Sequence, residues 1–369
     1  MKKLLINCST INSSGPNQVA LSFINECINF PYEYHVIVGP SFANVIDINN
    51  YPANFKFYFT KHRIVSGIFN FIKVRRLLHQ IEKEVVPDAV FSVFGPSYWK
   101  PKAKHIQGFA TPQVLYPESS FFQLIPLKQR IRWKYHRIIQ LFLIKYESDA
   151  VILETSVMQK RLLHKIPHLL TYVVPNTCSA SFNGRGSSSV SKESEVFRLL
   201  TLSSYKRHKN IEIIPEVIDE LRKRKEDNIC FYLTLPEVKF KELIPPDYLK
   251  NVINLGPLHP DVCPLAYEKV DGMFLPTLLE GFSASYPEAM HMKKPILTSN
   301  YDFATGVCGE AALYFDPLDP KSIADAIIKL KNNYNLQESL INAGQDRLLT
   351  FGSANQRARE YLKIIENYA

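Results

Sequence analysis

The chain has 369 residues, of which 46% are hydrophobic, 12% aromatic and 21% charged; it exceeds the roughly 250–300 residues at which one core stops growing, so two domains are expected. This composition excludes disorder, collagen and coiled coil. The net charge of +9 sits entirely in the first half: residues 1–180 carry 21 Lys and Arg against 10 Asp and Glu, and the rest carry 23 against 25. Such asymmetry points to an anionic counterpart, whether nucleic acid, membrane or phosphorylated substrate.

At the N-terminus the apolar run Leu4-Leu5-Ile6 is too short for the core of a signal peptide. The longest apolar stretch, 138–144 with Gln140 inside it, is far below the roughly 18 residues of a membrane span. Six cysteines, at 8, 27, 178, 230, 263 and 308, show no paired spacing and fit a reducing compartment better than a disulfide framework. A cytoplasmic protein is expected. In chain order, strand-like runs fall at 3–8, 34–38, 55–60, 88–94 and 149–154, a further strand is read as ending at His105, and helical patterns fall at 16–29, 66–85, 127–146 and 156–165. This alternation predicts a parallel sheet covered by helices. Residues 179–195 are rich in Ser and Gly with almost nothing to bury, and read as a linker between domains 1–178 and 196–352. The second half repeats the grammar, with strands at 197–202, 229–233, 252–255, 272–276, 295–299 and 312–315. Helices are expected at 211–224, 264–268, 284–291 and 320–331, with a C-terminal helix at about 354–368. The fold class is therefore α/β, as two successive Rossmann-like units.

The densest chemical signal is Phe274-Leu275-Pro276-Thr277-Leu278-Leu279-Glu280-Gly281-Phe282-Ser283-Ala284-Ser285-Tyr286-Pro287-Glu288-Ala289-Met290. A strand ends, a loop carries Glu280 and Gly281, and a helix opens with Glu288 in its first turns. Ligands of open α/β sheets bind outside the carboxyl ends of the strands, and a helix start there offers free N–H groups to phosphate. Two carboxylates beside such a pocket suit the paired hydroxyls of a sugar, so the pattern suggests a nucleotide sugar. The plainer alternative is a dipole-complementing Glu288 and a solvated Glu280. A second cluster, Ser203-Ser204-Tyr205-Lys206-Arg207-His208-Lys209-Asn210, puts cations between a strand end and a helix start, where they would stabilise a leaving diphosphate. The alternative, a solvated basic helix start, is disfavoured by the helix dipole. No Asp-x-Asp motif, zinc spacing or phosphate-binding Gly-x-x-x-x-Gly-Lys loop occurs in the sequence, so neither metal nor cofactor is expected.

The Glu280/Glu288 spacing, set in Leu-Pro-x-x-x-Glu-Gly-Phe and Glu-Ala-Met-x-x-x-x-Pro-Ile-Leu-Thr-Ser, resembles the signature of the retaining GT-B glycosyltransferases of family 4. Val174-Pro175-Asn176, Lys209-Asn210, Asn254-Leu255-Gly256 and 309–317 extend the resemblance, nearly continuous in the second half and weak in the first. It implies two Rossmann-like domains facing a cleft, with the acceptor on the first domain, the nucleotide sugar on the second, and the C-terminal helix returning to the first. It further implies that Glu280 contacts donor-sugar hydroxyls, Glu288 the ribose, and the amides of Phe282, Ser283 and Ala284, beside Gly281, the sugar and diphosphate. Lys209 would bind the diphosphate. The family's Gly-Arg pair is replaced here by Ser203-Ser204, leaving Arg207 or Lys206 as the second cation. Ser204, Gly256 and, after the first strand, Gly15 are expected near the donor, and His105, read as ending a strand of the acceptor half, is a candidate catalytic group against a plain structural role.

Arg130, Lys134 and Arg137 form a basic stripe on the 127–146 helix, beside an apolar face of Leu127, Ile131, Ile138 and Phe142. Lys73, Arg76 and Lys83 form a similar stripe on another helix. Either these are solvated edges of helices packed on the sheet, or they touch an anionic membrane carrying a lipid-linked glycan acceptor. With the resemblance, the function expected is metal-independent glycosyl transfer with retention, in cell-surface polysaccharide (lipopolysaccharide-type) assembly, by a protein peripheral to the cytoplasmic face. The alternatives are a sugar-nucleotide epimerase on the same fold and a non-catalytic basic protein binding membrane or nucleic acid; no nucleic-acid motif is present.

Overall fold

The computed structural model describes residues 2–182, 184 and 195–369; the expected linker at 179–195 lies mostly outside them. The chain forms two compact units, one of Met1–Pro117, Pro126–Asn176 and Ser353–Ala369 and one of Glu118–Ile125 and Thr177–Gly352.

The first unit contains β1 (Lys3–Cys8), α1 (Ser14–Cys27), β2 (Glu33–Val38), β3 (Phe55–Phe59), α2 (Ile68–Val85), β4 (Ala89–Ser92) and β5 (Lys104–Gly108). They are followed by α3 (Pro112–Leu115), α4 (Leu127–Glu147), β6 (Ala150–Leu153), α5 (Ser156–Lys165) and β7 (Thr171–Val173). All seven strands are parallel, in the order β3-β2-β1-β4-β5-β6-β7. Because helices cover both faces, alternate residues of one strand enter different cores. Leu4, Ile6 and Cys8 join the cluster around Phe23, Phe91 and Tyr361, whereas Leu5 joins Ile37, Val90 and Trp99 under α2. That is why β1 reads as an unbroken apolar run. Gly108 is required by close approach: a Cβ there would lie 2.1 Å from the carbonyl oxygen of Val93.

The second unit contains β8 (Phe197–Thr201), α6 (Ile214–Lys223), β9 (Ile229–Leu233), α7 (Glu237–Leu243), β10 (Val252–Asn254), α8 (Cys263–Glu268) and β11 (Gly272–Leu275). Then come α9 (Ser285–His291), β12 (Ile296–Ser299), α10 (Asp302–Cys308), β13 (Ala312–Phe315), α11 (Pro320–Lys331) and α12 (Tyr334–Leu349). Its six parallel strands run β10-β9-β8-β11-β12-β13, the same order as the first six of the other sheet. The chain then returns to the first unit as α13 (Ala354–Glu366), opened by a capping box between Ser353 and Gln356. It buries Ala358, Tyr361, Leu362 and Ile365 in the first unit's core, and Arg357 holds Asn176 and the hydroxyl of Ser22.

Several expectations are corrected. The first unit ends at Asn176 rather than 178, and Glu118–Ile125 belongs to the second unit. Helix α12 was not anticipated because its inward face carries Gln337, Leu340 and Gly344 rather than an apolar stripe; Gly344 lets it approach Met290 of α9, where a Cβ would sit at 3.3 Å. The short α7 and α10 and the three-residue β7 also lacked a readable period. On α4 the apolar residues Leu127, Ile131, Ile138 and Phe142 do not pack on the sheet; all four are exposed.

Candidate active site

Each sheet reverses its strand order once, between β1 and β4 and between β8 and β11, and the crevice beyond the carboxyl ends of the strands at such a point receives ligands in open α/β sheets. In the second unit the two segments leaving these strands carry both clusters singled out in the sequence.

The segment after β8 is held by Thr234, whose Oγ1 accepts from the Ser203 amide at 3.0 Å. A tight turn, Arg207–Lys209, ends at Asn210 in the left-handed conformation (φ 56°), which a short polar side chain tolerates; the Asn210 amide group donates to Pro317 O at 2.8 Å. The segment after β11 is anchored from below. Thr201 Oγ1 donates to Phe274 O at 2.7 Å and Thr298 Oγ1 to Leu275 O at 2.9 Å. One backbone bond, from the Leu278 N–H to His208 O at 2.7 Å, ties the two segments together.

This arrangement brings Lys209 onto Glu280. The Lys209 ammonium donates to Glu280 Oε1 in an ion pair with each side chain 12% exposed. Burial alone would push the Glu280 carboxyl up, but the Lys209 charge, with His208 and hydrogen bonds from Lys209 and Thr277, outweighs it, and Glu280 titrates below its ordinary value. Thr277 Oγ1 lies 3.2 Å from Glu280 Oε1 and 3.1 Å from His208 O, so its single proton serves one at a time. Next to the pair, the backbone N–H groups of residues 281–285 have no acceptor among the described residues. They are the amides of Gly281, Phe282, Ser283, Ala284 and Ser285, gathered where the chain turns into α9. Ser285 Oγ donates to Leu202 O at 3.1 Å and fixes that turn against β8.

Glu288, one turn into α9, is half-buried, and its carboxylate has neither hydrogen bond nor ion pair among the described residues. Burial raises its pKa to about 7 against the pull of Lys209. The crevice therefore offers one ammonium and a row of donor N–H groups, a combination that binds an anion. It is flanked by two carboxylates able to accept from hydroxyls. Among the described residues no group of three or more His, Cys, Asp or Glu could hold a metal ion.

The other expected residues are distributed as follows. Arg207 pairs with Glu212 at 2.6 Å, which also accepts from Tyr205 OH at 2.6 Å. Lys206 is partly buried, and burial and the neighbouring Lys209 lower its pKa while Glu280 opposes the shift. Ser204 lines a depression with Tyr205, Thr234, Pro236, Lys239 and Pro257 at the ends of β8, β9 and β10. Gly256, with φ 73°, makes the turn after β10, where its N–H donates to Asn254 Oδ1 at 3.3 Å. The sequence did not single out Thr277, His208 or the excursion 118–125. Ser119 Oγ donates to Leu278 O at 2.7 Å, Ser120 Oγ lies 2.8 Å from Tyr301 OH, and the Phe121 ring meets the His208 ring edge-on at 5.9 Å. This excursion props the Glu280 loop, and its Ser-Ser-Phe-Phe sequence carries no motif that would have revealed it.

In the first unit the reading of His105 is corrected. It lies at the amino end of β5, not its carboxyl end, and is 1% exposed. Its Nδ1 donates to Glu147 O at 3.0 Å and its Nε2 accepts from Ser92 Oγ at 2.8 Å, with Asn7 Nδ2 donating to the same hydroxyl at 3.0 Å. Burial drives its pKa down to about 4, which fits a neutral ring with both nitrogens engaged. Gly15 lies in the first turn of α1 with open space where a Cβ would go, so no steric or backbone requirement selects glycine there. Arg130 and Lys134 are exposed on α4, and Arg137 is drawn inward, donating to Gln113 O at 3.4 Å.

Fold and sequence together define the class. Residues 196–333 match the family of glycosyl transferases group 1, the two units have the GT-B fold, and the protein is a glycosyltransferase. Solved structures similar to it include sucrose-phosphate synthase from Thermosynechococcus elongatus (12% identity, TM-score 0.75, covering 100% of this chain and 99% of that one). Anabaena HepE, solved with UDP and glucose, is 13% identical with a TM-score of 0.69 and 100% of both chains covered. WaaG, a glycosyltransferase involved in lipopolysaccharide biosynthesis, is 13% identical with a TM-score of 0.72, covering 98% of this chain and 99% of that one. No curated protein matches the chain by sequence.

Proposed function

We propose that the crevice at the ends of β8 and β11 binds a nucleoside-diphosphate sugar, and that the protein transfers its sugar, with retention of configuration and without a metal, to a hydroxyl of a lipid-linked glycan in cell-surface polysaccharide synthesis. The observation that carries the donor assignment is the Lys209–Glu280 pair beside the amides of 281–285 and the Glu288 carboxylate, which have no hydrogen-bond or ion-pair partner among the described residues. In the ligand-free protein Glu280 occupies the ammonium. An arriving diphosphate takes Lys209, assisted by Lys206 and the amides, and releases Glu280 to accept from sugar hydroxyls; Glu288 accepts from the ribose. With Lys209 and the amides meeting the diphosphate charge, a divalent ion is not required.

In the transfer step the bond from the anomeric carbon to the leaving phosphate oxygen breaks and a bond to the acceptor oxygen forms on the same face, the acceptor proton passing to the departing phosphate. Fixed donors beside a developing phosphate charge act in the transition state more than in the ground state, and that is the protein's catalytic contribution. The polysaccharide role draws on the likeness to WaaG and on the basic first half; the donor nucleotide is taken as uridine diphosphate from the likeness to HepE. Proton NMR of UDP-sugars incubated with the protein in EDTA tests the reaction. Slow release of UDP and of a sugar with retained anomeric configuration is expected; a C2-epimeric nucleotide sugar formed without acceptor would instead establish the epimerase.

A further inference from the structure

Helix α4 is oriented the opposite way to an ordinary surface helix. Its inward side carries Gln140, Ile144 and Glu147; the Glu147 carboxylate accepts from the amide and hydroxyl of Ser97, both at 3.0 Å, and Gln140 Nε2 lies 3.2 Å from His136 Nε2. Its outward side carries Leu127, Ile131, Tyr135, Ile138, Phe142 and Tyr146, each between 48% and 69% exposed. At 100° per residue these six fall within an arc of roughly 100° and run about 29 Å along the helix. Single exposed apolar residues are common on soluble proteins, but an uninterrupted row of this length is an interaction surface. Lys128, Arg130, Arg132, Lys134 and Lys145 are exposed around it. The only acidic residue of the helix, Glu147, is buried on the far side.

We propose that α4 is the element by which the protein lies on an anionic membrane, with this row at the acyl boundary and the flanking cations among the headgroups. The proposal deepens the acceptor reading above and rests on it for its biological purpose, since a lipid-linked glycan must be reached at a bilayer. Physically it stands on α4 alone. The charge pattern selects the occupant: a second copy docking α4 against α4 would set cations against cations with no carboxylate on either exposed face, whereas an anionic lipid surface complements every charge on it. No described helix is long and apolar enough to cross a membrane, so the helix would lie in the interface plane. The sequence hinted at the basic stripe; the structure adds that among the described residues the apolar row is left exposed along the helix, with the Lys100 ammonium over the Tyr146 ring at 4.3 Å.

The test is flotation of the full-length protein with phosphatidylcholine vesicles, with and without about a third phosphatidylglycerol, and light scattering for oligomeric state. Binding to the anionic vesicles is expected, at least about tenfold weaker to neutral ones and weakening with salt. Ile138→Glu with Phe142→Glu lowers anionic-vesicle partitioning by more than about tenfold, and Arg132→Glu with Lys145→Glu by about the same. Both double variants sit on the surface, and an unchanged melting shift with a nucleoside diphosphate shows that they fold. Wild type ignoring anionic vesicles, both variants binding as wild type does, or the apolar variant merely dissolving a dimer would each overturn the proposal. Loss of vesicle binding with the nucleotide response intact sinks only this inference. Vesicle binding without any nucleotide response sinks only the donor reading.

Discussion

The two sheets share one strand order, yet their switch points are furnished in opposite ways. Under β1 and β4 the polar groups Asn7, Ser92 and His105 are neutral and form one hydrogen-bonded chain, and only the Ser9 hydroxyl beside them is left without a partner among the described residues. Their cations lie outside, on α2 and α4. Between β8 and β11 the polar groups are charged or unsatisfied among the described residues: Lys209 and Glu280 pair, the 281–285 amides have no acceptor, and the Glu288 carboxylate has no hydrogen bond or ion pair. Unsatisfied groups at the end of a sheet are costly unless a ligand completes them. The comparison teaches that shared architecture does not distribute function, whereas the hydrogen-bond accounting does.

Breaking the second crevice has the largest expected effect. Lys209→Ala removes the fixed cation and should lower the transfer rate by about 10²–10³-fold, measured as kcat with donor saturating. It also leaves Glu280 buried without its partner, which costs about 3 kcal/mol in a denaturant titration. In the first unit the matching change is structural only. His105→Ala leaves the Ser92 hydroxyl proton without an acceptor and Glu147 O without its donor, so stability should drop by about 2–3 kcal/mol while kcat of the folded protein is unchanged. Because the folded protein holds His105 near a pKa of about 4, below the usual 6.5, its contribution is present above pH 6.5 and is lost as pH falls toward 4; the alanine variant should lose that part of the acid sensitivity.

A finer test uses Glu288. Its carboxyl is raised to about 7 by burial, and ribose hydroxyls need the ionised form, so nucleotide binding releases a proton. Affinity should then rise by up to about fivefold from pH 6 to 7 and about tenfold by pH 8, levelling off above. Glu288→Gln should bind more weakly and flatten the profile. The smallest effect is expected at Arg207, which is half-exposed and engaged with Glu212. Arg207→Ala should change kcat by less than about threefold, whereas Lys206→Ala should cost about tenfold; the reverse ranking would restore Arg207 as the second cation.

Much of this was legible in the sequence, for identifiable reasons. Strands buried on both faces read as unbroken apolar runs, as at Leu4-Leu5-Ile6 and Met273-Phe274-Leu275, and the Glu280/Glu288 spacing marks a strand-loop-helix passage from local sequence alone. What was hidden depends on tertiary contact. Arg207 and Lys206 are adjacent in sequence, and only the fold shows that Arg207 is drawn to Glu212. The placement of His105 depended on which end of a five-residue strand it occupied. The Ser119–Phe121 prop comes from the other end of a crossing that no periodicity announces. On α4 the apolar pattern was visible, but which side faced inward was not, because the buried side is the polar one, held by Ser97 and Glu147.

The most direct measurement is the melting temperature of wild type, Lys209→Ala and Glu288→Ala against UDP, GDP, TDP, ADP and CMP, each in EDTA and in magnesium. At 100 times its dissociation constant a ligand adds about 2.7 kcal/mol, and the account predicts that one nucleoside diphosphate produces such a shift in EDTA, undiminished relative to magnesium and lost in both variants. A shift that needs magnesium, survives both substitutions or never occurs with any of the five would contradict the assignment of the β8/β11 crevice as the donor site.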